Sequence, residues 1–349
     1  MARAMSIGAG SSAVWLWGLL FGATSAWSDI VALGEMGEAR RPSVVATQAG
    51  VLHLVYEEAL DSIGLERGLR SAISADSGAL WSVPEDLGSF HFSSPSLLQR
   101  QDGSFVLFFD EEREDGRHSL KHAISDDGRN FNVQWSPDLG GSYAGQAGYS
   151  SPYVIRGKGG AFTMIYSCGR FVCVAQSFDE GVTWDQLGTR VETELGYHHP
   201  RIAYRASDQR YWVTYGYDTY PADIGQAWSK TTTDIHDWSA PRVALPNPAG
   251  FADPMPTIRA DGDFALFYSR TDGRQSGIYE RRSTDAVVFG PERARVVTSN
   301  GKYRWPYVLN GPAVGELQLF WTDRRQGDFG DLYREQIESG VPLFGDGFE

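Results

Sequence analysis

Apolar residues in this chain gather in short unbroken runs rather than in a helical stripe: VLHLVY (51–56), FVLFF (105–109), FTMIY (162–166) and FALFY (264–268). None of them alternates with polar residues, so the strands they predict should be buried on both faces. Each run follows a proline at a fixed distance. Pro42 to Tyr56, Pro95 to Phe109, Pro152 to Tyr166 and Pro254 to Tyr268 are each 14 residues apart, and Pro200 to Tyr215 and Pro306 to Trp321 are 15 apart. Turn chemistry such as Ala260–Asp261–Gly262 lies between, so each copy reads as strand, turn, strand.

The unit occurs six times, with prolines separated by 53, 57, 48, 54 and 52 residues, a period that marks a radial or stacked repeat. The first five copies go on through a polar loop and a third strand to a compact turn holding Asp76, Asp127, Asp179, Asp234 or Asp285. Two of these turns, SADSGALW (74–81) and SFDEGVTW (177–184), share the pattern Ser-x-Asp-x-Gly-x-x-Trp. SDDGRNF (125–131) is one residue short, and TTDIHDW (232–238) and STDAVVF (283–289) lack the glycine. The pattern suits a hairpin corner in which the carboxylate accepts local N–H groups, so a structural role is expected for these acids.

The turns resemble the Asp-box of the sialidase superfamily and its relatives with bacterial neuraminidase repeats. Double-sided burial and the sixfold period point to an all-β chain, a six-bladed β-propeller of four-stranded antiparallel blades over residues 29–340. The last copy has no Asp turn and runs out near Ser339, one strand short. The segment 29–42 is placed to supply that strand, with Ile30 to Leu33 pairing onto the last blade and removing an exposed edge.

Composition narrows the setting. A length of 349 residues fits one large domain, and a formal charge of −13 excludes the basic stripe a nucleic-acid partner needs. Residues 1–26 read as a secretory signal, with Arg3, the apolar core AVWLWGLLFGA (13–23) and small residues at Ala23, Ser25 and Ala26. Nothing later is apolar for long enough to span a bilayer, so the expectation is a soluble monomer without a membrane span, secreted or periplasmic. An uncleaved anchor is the alternative. Residues 341–349 read as a flexible tail. Export makes a Cys168–Cys173 disulfide the default across the Gly169–Arg170 turn, holding one loop rigid. Further metal ligands do not accompany the cysteines, and no cofactor is implied.

Strand alternation sorts the chemistry by face. The two residues before each proline should ring one pocket at the axis: Arg40 and Arg41, Ser93 and Ser94, Ser150 and Ser151, His198 and His199, Ala252 and Asp253, Arg304 and Trp305. Loops on the same face carry Glu57, Glu58 and Asp61, then Asp110 to Arg113, Tyr217, Asp218 and Tyr220, Arg270, Asp272 and Arg274, and Asp323 to Arg325. The opposite turns carry little chemistry.

On this face the resemblance to sialidases reaches residues. Arg40-Arg41-Pro42 is similar to the family's Arg-Ile-Pro motif, which implies that Arg40 belongs to a triad gripping a sugar carboxylate, with Arg270 and Arg304 as its other members. Guanidinium forks suit that task because two parallel charge-assisted bonds fix the carboxylate plane. The resemblance also implies Asp61 as acid/base and Asp253 as the second carboxylate, one blade later than the family places it. The family's nucleophilic Tyr is matched by Phe329 in FGDL (329–332), with Tyr217, Tyr303 and Tyr333 as substitutes.

Three functions therefore follow: a sialidase-like glycoside hydrolase on an acidic glycan, a polysaccharide lyase using His198 or His199 with Tyr217, or a carbohydrate-binding propeller without turnover. The residues themselves leave alternatives open. Arg41 and the other arginines can be solvated or internally paired, the histidines structural, and Trp305 a sugar platform or core.

Overall fold

The computed structural model describes residues 31–32, 39–59, 67–88, 91–134, 148–169, 171–192, 197–217, 226–245, 251–270, 276–298, 303–310, 316–326 and 329–338. These form strands and turns, with one 3-10 turn at Lys158–Gly160. Blade one comprises Ala39–Ala46, Leu52–Ala59, Arg67–Ser74 and Glu85–Asp86; blade two Phe92–Gln99, Phe105–Glu112, His118–Ser125 and Asn132–Gln134. Blade three comprises Tyr149–Arg156, Phe162–Cys168, Phe171–Ser177 and Asp185–Glu192; blade four Tyr197–Arg205, Arg210–Tyr217, Gln226–Thr232 and Arg242–Leu245. Blade five comprises Phe251–Ile258, Phe264–Arg270, Ser276–Ser283 and Arg293–Thr298; blade six Tyr303–Asn310, Glu316–Gln326 and Phe329–Glu338. Within each blade, consecutive strands pair antiparallel.

The first strands contact one another in cyclic order, blade one against blade six included. Val31 pairs with Arg334 and Ala32 with Tyr333, so the short strand Val31–Ala32 takes the fourth place in blade six, as the repeat count requires. Ile30 and Leu33, the signal at 1–26 and the tail at 341–349 lie outside the described residues. No helix among the described residues is long and apolar enough to cross a membrane.

The unbroken apolar runs are explained by packing on both sides. Leu52, Leu54 and Tyr56 cluster with Phe320 and Leu332 of blade six, while Val55 clusters with Leu97, Phe105 and Leu107 of blade two. Alternate side chains of one strand thus fill two different interblade layers, and neither face can be polar. The aromatic that ends each run, Tyr56, Phe109, Tyr166, Tyr215, Tyr268 or Trp321, is buried in every blade.

The Asp turns are corners, as expected. In the first full copy Ser74 Oγ donates to Asp76 Oδ1 at 2.8 Å, Leu80 N donates to the same oxygen at 2.8 Å, and Trp81 Nε1 donates to the Gly78 carbonyl at 3.1 Å. Ser177, Asp179, Thr183, Trp184 and Gly181 repeat this network at 2.7, 2.8 and 3.2 Å. Trp81 then meets Phe320 edge-on and Trp184 meets Phe108 edge-on, each covering the second strand of the preceding blade. Gly181 has φ +93°, and a Cβ there would stand 2.9 Å from Phe108 Cζ. Cys168 and Cys173 are joined as a disulfide across the second and third strands of blade three.

Candidate functional site

Every first strand bends at its proline. Arg40 pairs with Glu57 but the next pair is Ser43 with Val55, so one extra residue is inserted on the first strand, and all six blades show the same shift. The residue before the proline is left-handed in each: Arg41 (φ 48°), Ser94 (54°), Ser151 (54°), His199 (51°), Asp253 (55°) and Trp305 (50°). Such a conformation is costly for a single residue, but sixfold repetition at positions as plain as Ser94 and Ser151 makes it a device of the fold. Its effect is to turn one residue per blade toward the axis, which is why the pre-proline positions form a site.

Carboxylates from neighbouring blades fasten these bulges. Glu57 accepts from Ser94 N at 2.6 Å, Asp110 from Ser151 N at 2.8 Å, and Asp253 from Trp305 N at 3.2 Å. Glu57 and Asp110 directly follow the buried aromatics Tyr56 and Phe109 and are 0% and 2% exposed, so they are strand residues and not the loop residues expected from the sequence. In the other blades the same place holds Ser167, Gly216, Ser269 and Thr322.

The arginines expected to hold a ligand already hold these acids. Arg40 Nε donates to Glu57 Oε2 at 2.5 Å and Arg41 Nη1 to Glu57 Oε1 at 3.0 Å. Arg304 Nε donates to Asp253 Oδ2 at 2.7 Å. Burial alone would raise the Glu57 carboxyl, but Arg40, Arg41 and the Ser94 N–H together bring it down to about 2. Asp253 is brought to about 2 in the same way, burial being outweighed by Arg304 and the Trp305 N–H. Asp110 moves the opposite way. Burial pushes it up, only partly offset by the Ser93 hydroxyl and Ser151 N–H, and nearby Glu57 pushes in the same upward direction.

Arg40 and Arg304 converge. Their guanidinium carbons stand 5.6 and 5.2 Å from the centre of the Trp305 indole, which is 9% exposed and so is a covered partner of two cations more than an open platform. Arg270 is directed along its own blade, with Nη1 2.6 Å from Glu292 Oε1 and its guanidinium over Tyr279. Tyr303 and Tyr333 both pack against Trp321 within blade six.

His199 sits between two partners. Arg41 Nη2, which can only donate, lies 3.2 Å from His199 Nε2, and Ser151 Oγ lies 3.2 Å from Nδ1. The network therefore assigns the proton to Nδ1, leaving a neutral ring whose Nε2 lone pair faces Arg41. His198 is the second residue of the first strand of blade four, pairing with Gly216, and Tyr217 ends the second strand, pairing with Tyr197; the side chains of His198 and Tyr217, like the whole of Asp61, lie outside the described residues.

Beneath the rim the axis is plugged by residues that follow the prolines, among them Tyr153, Arg201, Met255 and Tyr307. Sequence reasoning missed Arg201, although its position one after Pro200 is the signal that could have found it. A cavity of about 20 Å³ remains between Arg41, His199, Arg201, Asp253, Trp305 and Tyr307. Past Met255 the axis opens again toward the Asp-turn end in a cavity of about 250 Å³ between Ile155, Ala203, Tyr204, Ile258 and Leu309. No group of three or more metal-ligating side chains lies together among the described residues.

Solved structures with this architecture include sialidases. A Hadza microbial sialidase superposes with a TM-score of 0.66 at 15% identity over 86% of this chain, which spans 66% of that protein's length. The intramolecular trans-sialidase of Ruminococcus gnavus gives 0.65 at 13% identity, covering 89% of this chain and 97% of its own. An α-L-arabinofuranosidase of Fusarium graminearum gives 0.60 at 12% identity, with coverages of 86% and 93%. The chain thus has the sialidase-type propeller fold that glycoside hydrolases of more than one kind also use. No protein-family profile matches the sequence, and no curated protein matches it either.

Proposed function

We propose that the chain is an exported, monomeric glycoside hydrolase that acts on a carboxylate-bearing glycan at the rim of the propeller axis. The observation that carries this reading is that the guanidinium groups of Arg40 and Arg304 both lie against the Trp305 indole. Glu57 and Asp253 anchor Arg40 and Arg304, which holds each guanidinium in position for a ligand carboxylate. Anchoring also lowers the entropy lost on binding. Arg41 belongs to the same rim, and Arg270 would join the clamp only on leaving Glu292.

Glycoside hydrolysis needs two carboxyl groups whose pKa values are pushed apart. Asp253, held near 2, supplies the ionised member beside the sugar. The proton donor is Asp61, in line with the sialidase resemblance, or Asp110, the described carboxyl that burial moves toward its protonated form. A lyase would need the Nε2 lone pair of His199 as base, and Arg41 occupies it.

Binding without turnover is the second reading, favoured by the internal pairing of the arginines and by Phe329 in place of the expected tyrosine. Incubation with sialosides and with uronate oligosaccharides separates the readings. Release of free sugar that falls at least tenfold in Arg304→Ala supports hydrolysis, whereas binding with no product supports the second reading. A new ultraviolet-absorbing unsaturated end would make the protein a lyase. Failure to bind either glycan class would refute the acidic-glycan reading altogether.

A further inference from the structure

We propose that the propeller axis binds one small inorganic anion, of halide size, between Arg41 and Arg201. Arg201 follows Pro200 at a place where blades one and two carry Ser43 and Ser96, whose hydroxyls accept from Leu97 N and Val154 N of the next blade. A guanidinium in this layer has no such partner. Arg201 Nη1 donates to the Pro200 carbonyl at 3.0 Å and the group lies 4.9 Å from the Tyr153 ring centre, with no carboxylate in ion-pair range among the described residues. Arg41 adds a second signal, since its Nε is buried and has no partner.

Among the described residues, the cations lining the cavity outnumber the acids. Arg41 and Arg201 line it with the single carboxylate of Asp253, which Arg304 holds, while Glu57 lies against Arg40 and Arg41. Those two acids are already bonded to Arg40, Arg41, Arg304 and the N–H groups of Ser94 and Trp305. Asp110 does not line the cavity and its oxygens accept from the Ser93 hydroxyl and the Ser151 N–H, and burial pushes the Tyr153 and Tyr307 phenols up, so neither phenol supplies a negative charge. An uncompensated buried cation costs several kcal/mol, and in this low-dielectric setting an anion is drawn in more strongly than at the surface.

Size then selects the anion. A cavity of about 20 Å³ holds a water-sized body, so it admits a halide and excludes sulfate or a sugar acid. The cavity shares Arg41 and Asp253 with the rim, but its test uses no glycan, so its outcome is read separately from that of the hydrolase reading.

Two measurements on the full chain test it. The melting temperature, followed at constant ionic strength while chloride replaces sulfate, should rise by about 2 °C for each tenfold increase in chloride above its dissociation constant. Arg201→Met should abolish that slope, whereas Arg210→Met, far from the axis, should keep it. Should Arg201→Met fail to fold, crystals of the wild-type protein soaked in bromide decide the matter through an anomalous peak between Arg41 and Arg201. A melting temperature indifferent to chloride in the wild type, an equal slope in Arg201→Met, or no bromide at the axis overturns the proposal.

Discussion

Replacing Glu57 by glutamine removes a negative charge from a point where two guanidinium groups and a backbone N–H meet. The carboxylate is 0% exposed and accepts from Arg40 at 2.5 Å, Arg41 at 3.0 Å and Ser94 N at 2.6 Å. Breaking a buried pair by neutralising one partner costs about 3–5 kcal/mol because the other charge is left uncompensated. A second route gives a similar size: the shift of the Glu57 carboxyl from an ordinary 4.5 to about 2 is equivalent to about 3 kcal/mol. Urea unfolding followed by tryptophan fluorescence should therefore show Glu57→Gln about 3 kcal/mol less stable at pH 7.

The same number has a pH signature. Since folding depresses the Glu57 pKa, the unfolded chain binds more protons between the two values, so this stabilisation is complete above about pH 4.5 and is lost as pH falls toward 2. The wild type and Glu57→Gln should converge over that interval. A difference below about 1 kcal/mol at pH 7, or one that stays constant down to pH 2, would refute the assignment of Glu57 as the counter-ion that ties blade one to blade two.

Two further outcomes follow from the fold. Gly181→Ala should cost about 2 kcal/mol in the same unfolding assay, because its positive φ strains any Cβ and that Cβ would press on Phe108; Gly262→Ala, with a similar φ of +86° but nothing within 4 Å, should cost clearly less. Equal losses would show that the Asp turn does not bear on the neighbouring blade. Cys168 and Cys173 should resist thiol labelling in the exported protein until a reductant is added, and immediate labelling of both would exclude the disulfide.

What could be read from the sequence follows from what the repeat encodes. Six proline-to-aromatic intervals fixed the number of blades, and the missing last strand led to the pairing now seen between Val31–Ala32 and Arg334–Tyr333. The Asp turns were legible because Ser, Asp, Gly and Trp act within eight consecutive residues, a range over which spacing determines contact. The axial positions were legible too, since the residue before each proline is a fixed phase of the repeat. Partners across blades were not. Glu57 looked like a loop acid because charge usually marks a strand's end, yet two arginines on the neighbouring strand allow it to be buried. Arg201 escaped notice for the related reason that its surroundings come from four other blades.

The central claim is that Arg40 and Arg304 hold the carboxylate of an acidic glycan on a chain whose net charge of −13 would otherwise repel it. Calorimetric titration of the wild-type protein with one acidic glycan and with its carboxyl-reduced counterpart isolates that interaction. The account predicts that the acid binds about 30-fold more tightly, equivalent to about 2 kcal/mol for a charge-assisted pair, and that Arg304→Ala lowers the acid to the level of the reduced glycan. Equal affinities for the two glycans, or an Arg304→Ala variant that still prefers the acid by the same factor, would contradict it.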